Sequence, residues 1–234
     1  MIYFDIEHAL YPCVFLRRIN RFVVEVKIGK RVEKAHLTNT GKLLDYLVPE
    51  KTGLCYMINS PRLKYRLLAI EDRGKYAIID TLIQQKIFEK LLESNLLPWI
   101  QRIIAYKRNP RIGGEVFDYM VTTPKGVRVV ELKSSVLRTQ EIYASYPDTR
   151  TDRGVKQIRV LAEVAEHFSP ILVFAAFIPE VSGFKPYCRG DPRIMETLMY
   201  ARAKGVEMRC ISGYINGKNR IVVSSVDLPV LLEC

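Results

Sequence analysis

Asp118, Glu131 and Lys133 are the residues whose types and spacing most readily make a reaction centre. Side chains at i and i+2 of a strand point the same way. Glu131 and Lys133 therefore share one face of the run Val129-Val130-Glu131-Leu132-Lys133, and Leu132 turns to the other. Asp118 sits in the preceding apolar run, Val116 to Val121, and Thr122-Thr123-Pro124-Lys125-Gly126 has the composition of a turn. Antiparallel pairing of the two runs would bring Asp118 beside Glu131. Two hard carboxylate ligands next to an ammonium suit one Mg²⁺ (or Mn²⁺) ion and a polarised phosphate, the chemistry of phosphodiester hydrolysis. Glu-x-Lys is also a common solvated ion pair that contributes little, and on spacing alone both readings stand.

A second chemistry-bearing segment runs from Ser145 to Gln157. A loop with Pro147, Asp148 and Thr149 feeds a helix whose first turns hold Arg153, Lys156 and Gln157, spaced i, i+3 and i+4 on one face. Such a face can grip a phosphate or orient a water, since a helix N-terminus favours anions; a solvated helix start capped by Asp152 is the plainer reading. Upstream, Arg18 and Arg21 flank an Ile-Asn pair, a pattern suited to phosphate contact and equally to a solvated strand entry. His36 and Asn39 lie in Ala35-His36-Leu37-Thr38-Asn39-Thr40-Gly41, either a loop of donors facing nucleic acid or ordinary turn chemistry. Lys107, Arg108 and Arg111 make the segment 102–111 a basic connector.

The elements that must position these residues fall into two groups. Residues 1–79 read as short strands: Arg21–Ile28, Arg31–Leu37, Leu54–Ile58, Tyr65–Glu71 and Lys75–Ile79, with Asp72-Arg73-Gly74 as a tight hairpin turn. Five short strands with small turns suggest a compact barrel of the OB type. At residue 80 the pattern changes. Asp80 or Thr81 caps a helix with Leu82, Ile83, Ile87, Phe88, Leu91 and Leu92 at helical period. The hairpin follows, then a helix over 152–168. Ile171–Ile178 has the continuous apolar character of a buried central strand. A helix starts at Asp191-Pro192 and stops at Gly205, and Val206–Ile211 and Arg220–Ser224 form final strands. The expected fold class is α/β in the α+β sense, an OB-like barrel (1–79) followed by a mixed sheet flanked by helices (80–234).

Composition narrows the function. The 234 residues are 48% hydrophobic, enough to bury a core, and carry a net charge of +11. The charge is shared almost evenly between residues 1–80 and the rest, so both parts can face a polyanion. No apolar run approaches the roughly 20 residues of a bilayer span, and the acid-bearing start Met1-Ile2-Tyr3-Phe4-Asp5-Ile6-Glu7 lacks a basic leader. A soluble cytoplasmic protein with no membrane role is expected. Cysteines 13, 55, 188, 210 and 234 are odd in number with no CxxC, which argues against a disulfide framework and a cysteine zinc site. Nothing resembling a helix-turn-helix or zinc finger occurs, so sequence-specific operator reading has little support.

The chain resembles the sugar fermentation stimulation protein A family over nearly its whole length. The carrying stretches are Arg18-Ile19-Asn20-Arg21-Phe22-Val23-Val24, His36-Leu37-Thr38-Asn39-Thr40-Gly41, Phe117-Asp118 leading to Val130-Glu131-Leu132-Lys133-Ser134, Tyr146-Pro147-Asp148, Arg153-Gly154, Gly190-Asp191-Pro192 and Gly205-Val206-Glu207. The resemblance implies an OB-like domain joined to a restriction-endonuclease-like domain of the PD-(D/E)xK type. Asp118 and Glu131 would hold Mg²⁺ (or Mn²⁺), Lys133 would polarise water and phosphate, and DNA would be the partner. Three positions depart from the family pattern. Gln157 stands where histidine is usual, Val116 where arginine is usual, and no glutamate precedes the hairpin near Lys107-Arg108; Glu115 would face away from Asp118 on a regular strand. Two functions follow as expectations, a metal-dependent DNA nuclease and a non-catalytic DNA-binding regulator of sugar metabolism genes. The oligomeric state is open, a homodimer among the options.

Overall fold

Five strands between residues 10 and 72 close into a barrel: side chains alternate between more and less buried along residues 12–16 and 23–27, whereas 53–56 and 67–70 are continuously buried. In the computed structural model, which describes all 234 residues, the five strands are β2 (Leu10–Asn20), β3 (Val23–Ile28), β4 (Arg31–His36), β5 (Thr52–Met57) and β6 (Tyr65–Asp72). They lie in the order β4-β3-β2-β5-β6, and parallel pairing of Ala35 with Tyr65 and His36 with Arg66 joins the two ends. Phe15, Val24, Val26, Leu37, Leu67 and Ile70 fill the interior. This is the expected OB-like barrel with a different strand set. β2, unforeseen, is its long central strand. Pro12 and the basic pair Arg17-Arg18 hide its strand character, because proline normally marks an edge or a bulge; the pairing of β2 with β3 is in fact shifted between Phe15 and Arg17 and between Arg18 and Asn20.

The expected fifth strand, β7 (Lys75–Ile78), leaves the barrel. It pairs antiparallel with β6 and meets Ile215 of the second sheet through Tyr76. A short strand β1 (Ile2–Asp5) also joins that sheet, pairing antiparallel with residues 220–223. The pairings thus cross residue 80 in both directions.

Beyond residue 80, α1 (Thr81–Glu93) starts where Asp80 accepts a hydrogen bond from the Leu82 N–H at 2.9 Å. The central sheet contains β8 (Ala105–Arg108), β11 (Tyr119–Thr123), β12 (Gly126–Ser134), β15 (Ile171–Ala176), β17 (Glu207–Ile215) and β18 (Arg220–Leu228). Its order is β18-β17-β15-β12-β11-β8, parallel across β17, β15 and β12 and antiparallel on both flanks. Every residue of β15 is buried, as a central strand covered on both faces requires. One face packs α1 and Trp99; the other packs α2 (Asp152–Glu163) and α3 (Ile194–Ala203). A two-residue ribbon, β9 (Arg111–Ile112) with β10 (Glu115–Val116), precedes the hairpin, and β13 (Leu137–Thr139), β14 (Tyr143–Tyr146) and β16 (Gly183–Pro186) form a small third sheet.

Four details correct the sequence expectations. The basic connector contains an ordered edge strand, β8. The run after Asp191-Pro192 opens with a single turn, in which Asp191 Oδ1 accepts from the Arg193 N–H at 3.1 Å, and the regular helix begins at Ile194. Leu82 is exposed, outside the buried stripe of α1. Cys188 and Cys234, 46 residues apart, form a disulfide with Cα atoms 5.9 Å apart, leaving three buried free cysteines. A pairing over that separation has no local sequence signal. No helix is long and apolar enough to cross a membrane.

Candidate active site

Tyr119 pairs with Val130 in the β11–β12 hairpin, so the residues just before and after this pair, Asp118 and Glu131, meet at the mouth of the hairpin. Asp118 stands between the two helical layers. One of its carboxylate oxygens accepts from the Gln85 amide of α1 at 2.8 Å, the other from the Leu132 N–H at 2.7 Å. Glu131 and Lys133 project from β12 toward α2, as the i, i+2 spacing predicts, and are 4% and 6% exposed. The Lys133 ammonium donates to Glu131 Oε1 at 2.6 Å and to Gln157 Oε1 at 2.8 Å. Gln157 is fixed in turn by donating to the Val116 carbonyl at 2.9 Å. Its amide therefore has a defined orientation, oxygen to Lys133 and nitrogen to the hairpin.

Glu131 Oε2 is the one buried side-chain oxygen or nitrogen in the protein with no hydrogen-bond partner. A buried carboxylate oxygen left unpaired is costly, and such an atom calls for an ion or water as its complement. Burial raises the Glu131 carboxyl to about 7, with Lys133 opposing and the Asp118 charge adding to the rise. Burial likewise raises Asp118, against the Leu132 N–H and Lys133. For Lys133, burial works against the charged form, yet Glu131, helped by Tyr146 and Asp118, carries it above the usual lysine value. The cation is thus held charged at the place where negative charge is crowded. No third carboxylate, histidine or cysteine completes a cluster. Glu115, on β10, is paired with Lys156 at 2.6 Å.

The family model described as Sugar fermentation stimulation protein RE domain matches residues 82–219, and the one described as SfsA N-terminal OB domain matches residues 16–79. The chain belongs to the sugar fermentation stimulation protein (SfsA) family. SfsA relatives include the sugar fermentation stimulation protein homologs of Pyrococcus furiosus, 44% identical over 91% of this chain and 93% of that protein, and of Archaeoglobus fulgidus, 36% identical over 98% and 99%. A solved structure, described as Pyrococcus furiosus SfsA in complex with Ca²⁺, matches with a TM-score of 0.94 at 41% identity and covers 99% of each chain. The SfsA fold, an OB-like barrel with a restriction-endonuclease-like sheet, is the one the sequence implied.

The remaining residues singled out in the sequence divide by what they touch. Arg21, Lys107, Arg111 and Arg153 are exposed and make no ion pair. Lys156 is exposed but paired with Glu115, and Arg108 binds Glu89 of α1. Arg18 is committed inward, its guanidinium donating to the carbonyls of Asn20, Arg21 and Gly41. Asn39 is buried; its amide donates to Ser134 Oγ at 3.1 Å and its oxygen accepts from Gly41 N–H at 3.0 Å. His36 Nδ1 accepts from Arg66 at 3.3 Å, and burial, then Arg66, lowers its pKa. Arg18, Asn39 and His36 therefore build the barrel loop and its junction with β12.

Sequence reasoning missed two contributors from α1. Gln85 holds Asp118, and Glu89, one turn later and buried, accepts from the Tyr119 hydroxyl at 2.9 Å. The signal was present: polar residues at i and i+4 beside the apolar stripe of a helix that must cover a sheet. Tyr146, quoted only as part of a motif, lies beside Lys133 and is the third.

Proposed function

We propose that this protein binds DNA and hydrolyses phosphodiester bonds at Asp118, Glu131 and Lys133 with a divalent metal as cofactor. The observation that carries the reading is Glu131 Oε2, a buried acceptor without a partner, beside a second carboxylate and a fixed ammonium. The donor set fits a hard cation: Asp118 and Glu131 would hold Mg²⁺ or Mn²⁺, since each carboxylate oxygen that accepts one hydrogen bond retains a second lone pair. A metal bound there would lower the pKa of a water and offset developing negative charge. The protein's own contribution is positional. Lys133 presents a positive charge where the phosphorane oxygens would carry their excess charge, in a site largely shielded from water. Gln157 prevents the ammonium from swinging away. Arg21, Lys107, Arg111 and Arg153 supply free cations for phosphates along the strand. The Ca²⁺ complex described for the Pyrococcus furiosus protein supports a divalent-ion site in this chain.

One observation favours the rival reading of a non-catalytic DNA-binding regulator: both Asp118 oxygens and one Glu131 oxygen already have internal partners. The deciding experiment incubates wild type, Asp118→Ala and Lys133→Ala with single-stranded, duplex and branched DNA, with and without Mg²⁺ or Mn²⁺. Metal-dependent cutting by wild type alone, with binding kept in both variants, is expected. Wild type that binds every substrate and cuts none overturns the hydrolase.

A further inference from the structure

Next to the carboxylate site lies a cavity of about 240 Å³, between the barrel loop 38–43 and the loop 146–151 that feeds α2. Its walls are held from both sides. Asn39 bonds Ser134, the Leu43 N–H donates to Asp148 at 2.7 Å, and a Cβ added at Gly41 would lie 2.7 Å from the Asp148 carboxylate. The two loops are therefore locked together around the opening, and the cavity is part of the fold.

Its lining is rich in hydroxyls that the protein does not use. The side chains of Thr40, Thr81, Thr149 and Tyr146 make no hydrogen bond within the protein, and Ser134 Oγ, which accepts from Asn39, keeps its own proton free. Hydroxyls both donate and accept, as the edge of a nucleobase demands. Arg21 and Arg150 are exposed among the lining residues, where they can meet phosphates outside. The Asp148 carboxylate in the wall makes the interior a poor home for a phosphate itself.

The cavity communicates with the reacting groups. Ser134 follows Lys133 on β12. The Tyr146 hydroxyl packs so closely on α2 that a Cβ at Gly154 would fall 2.1 Å from it, one turn before Gln157, which holds Lys133. In size the cavity is below the roughly 300 Å³ of sites for drug-sized ligands. A cavity of that size matches one base better than a dinucleotide.

We propose that this pocket receives a single unpaired deoxynucleotide, so that the strand reaching Lys133 is single or locally opened. The inference takes its substrate from the nuclease reading. Its logic is that of enzymes that act on an extruded nucleotide, for which a mismatched or already unpaired base costs least to withdraw.

The test separates binding from cutting. Two DNA probes of the same length, one a perfect duplex and one with a single unpaired 2-aminopurine, are titrated in Ca²⁺ and followed by anisotropy and 2-aminopurine fluorescence. The unpaired probe should bind roughly tenfold tighter, with a change in base fluorescence on binding. Thr40→Phe, at an exposed position of the wall, should remove both the preference and the fluorescence change. Tyr146→Phe should reduce the preference severalfold, and circular dichroism melts confirm that both variants fold. Equal affinity for the two probes, or a preference that survives Thr40→Phe in the folded variant, overturns the pocket even if Mn²⁺-dependent cutting is present. A preference lost in Thr40→Phe, with no cutting by wild type in Mn²⁺, upholds the pocket and removes only the hydrolase.

Discussion

Two buried acid–base constellations in this protein use the same chemistry to opposite ends. At Asp191, every acceptor direction is taken. One oxygen accepts from the Arg193 N–H and Nε and the other from the Thr151 N–H at 3.0 Å and Arg193 Nη2 at 2.6 Å. The Arg193 guanidinium holds this carboxyl well below the usual carboxylate range, and Arg193 also reaches Asp152 at the start of α2. The group ties the entry of α2 to that of α3. At Glu131 the nearest cation is equally close, but one oxygen has no partner and burial raises the carboxyl to about 7. The difference teaches that a charge pair alone does not mark a reactive site. On the proposed function, acceptor capacity left over in a buried place does.

Activity should break the comparison most sharply. Lys133→Ala and Asp118→Ala should each lower single-turnover cleavage in Mn²⁺ by a factor on the order of 10² to 10³ or more, whereas Asp191→Asn, once folded, should cut at close to the wild-type rate. If Asp191→Asn proves as damaging as Lys133→Ala, the two constellations are not functionally distinct.

Metal addition sharpens the same contrast thermally. Ligand at about 100 times its Kd stabilises by about 2.7 kcal/mol, which for a chain of this size is roughly 5–10 °C in melting temperature. Wild type and Asp191→Asn should show that rise with Mn²⁺ and lose it with EDTA, and Asp118→Asn should show none. A full rise in Asp118→Asn would move the metal elsewhere.

Stability is the complement. Asp191→Asn should cost about 1–2 kcal/mol at pH 7 in urea denaturation, the partial exposure of Arg193 limiting the loss through solvent screening. The sign of its pH dependence is fixed by the depressed folded pKa. Asp191 contributes stability above its unfolded value of about 3.9, and that contribution is lost as pH falls through the lower folded value. The gap between wild type and variant should therefore close below about pH 4; a gap constant to pH 2 would contradict the assignment. The smallest effect belongs to the surface. Lys107→Ala should lower the salt slope of DNA binding by about one without changing its substrate preference.

How much of this was legible in the sequence depended on range. The Glu131–Lys133 face, the turn before it and the Asp80 cap are local, set by strand alternation and by a side-chain acceptor two residues from its backbone donor. Asp118 was legible because a hairpin fixes its own register. Gln85 and Glu89 left only the i, i+4 polar signal, since the rotation of α1 over the sheet decides which polar residues reach the hairpin. β2 was masked by Pro12 and two arginines, and the Cys188–Cys234 bond by its separation. The basic residues show a further limit: composition marked Arg18 and Arg21 alike, and only the positions of nearby carbonyls turned Arg18 inward while leaving Arg21 free.

The antiparallel contact of Ile2–Asp5 with residues 220–223 also sets an order of events during synthesis. A ribosome adds about 5–20 residues per second, so Ile2 waits roughly ten to forty seconds for Val223 to be made. The barrel, complete by Asp72, can close long before. Until the last ladder docks, β18 would offer an uncovered edge of unpaired N–H and C=O groups, the kind of surface on which nascent chains join one another.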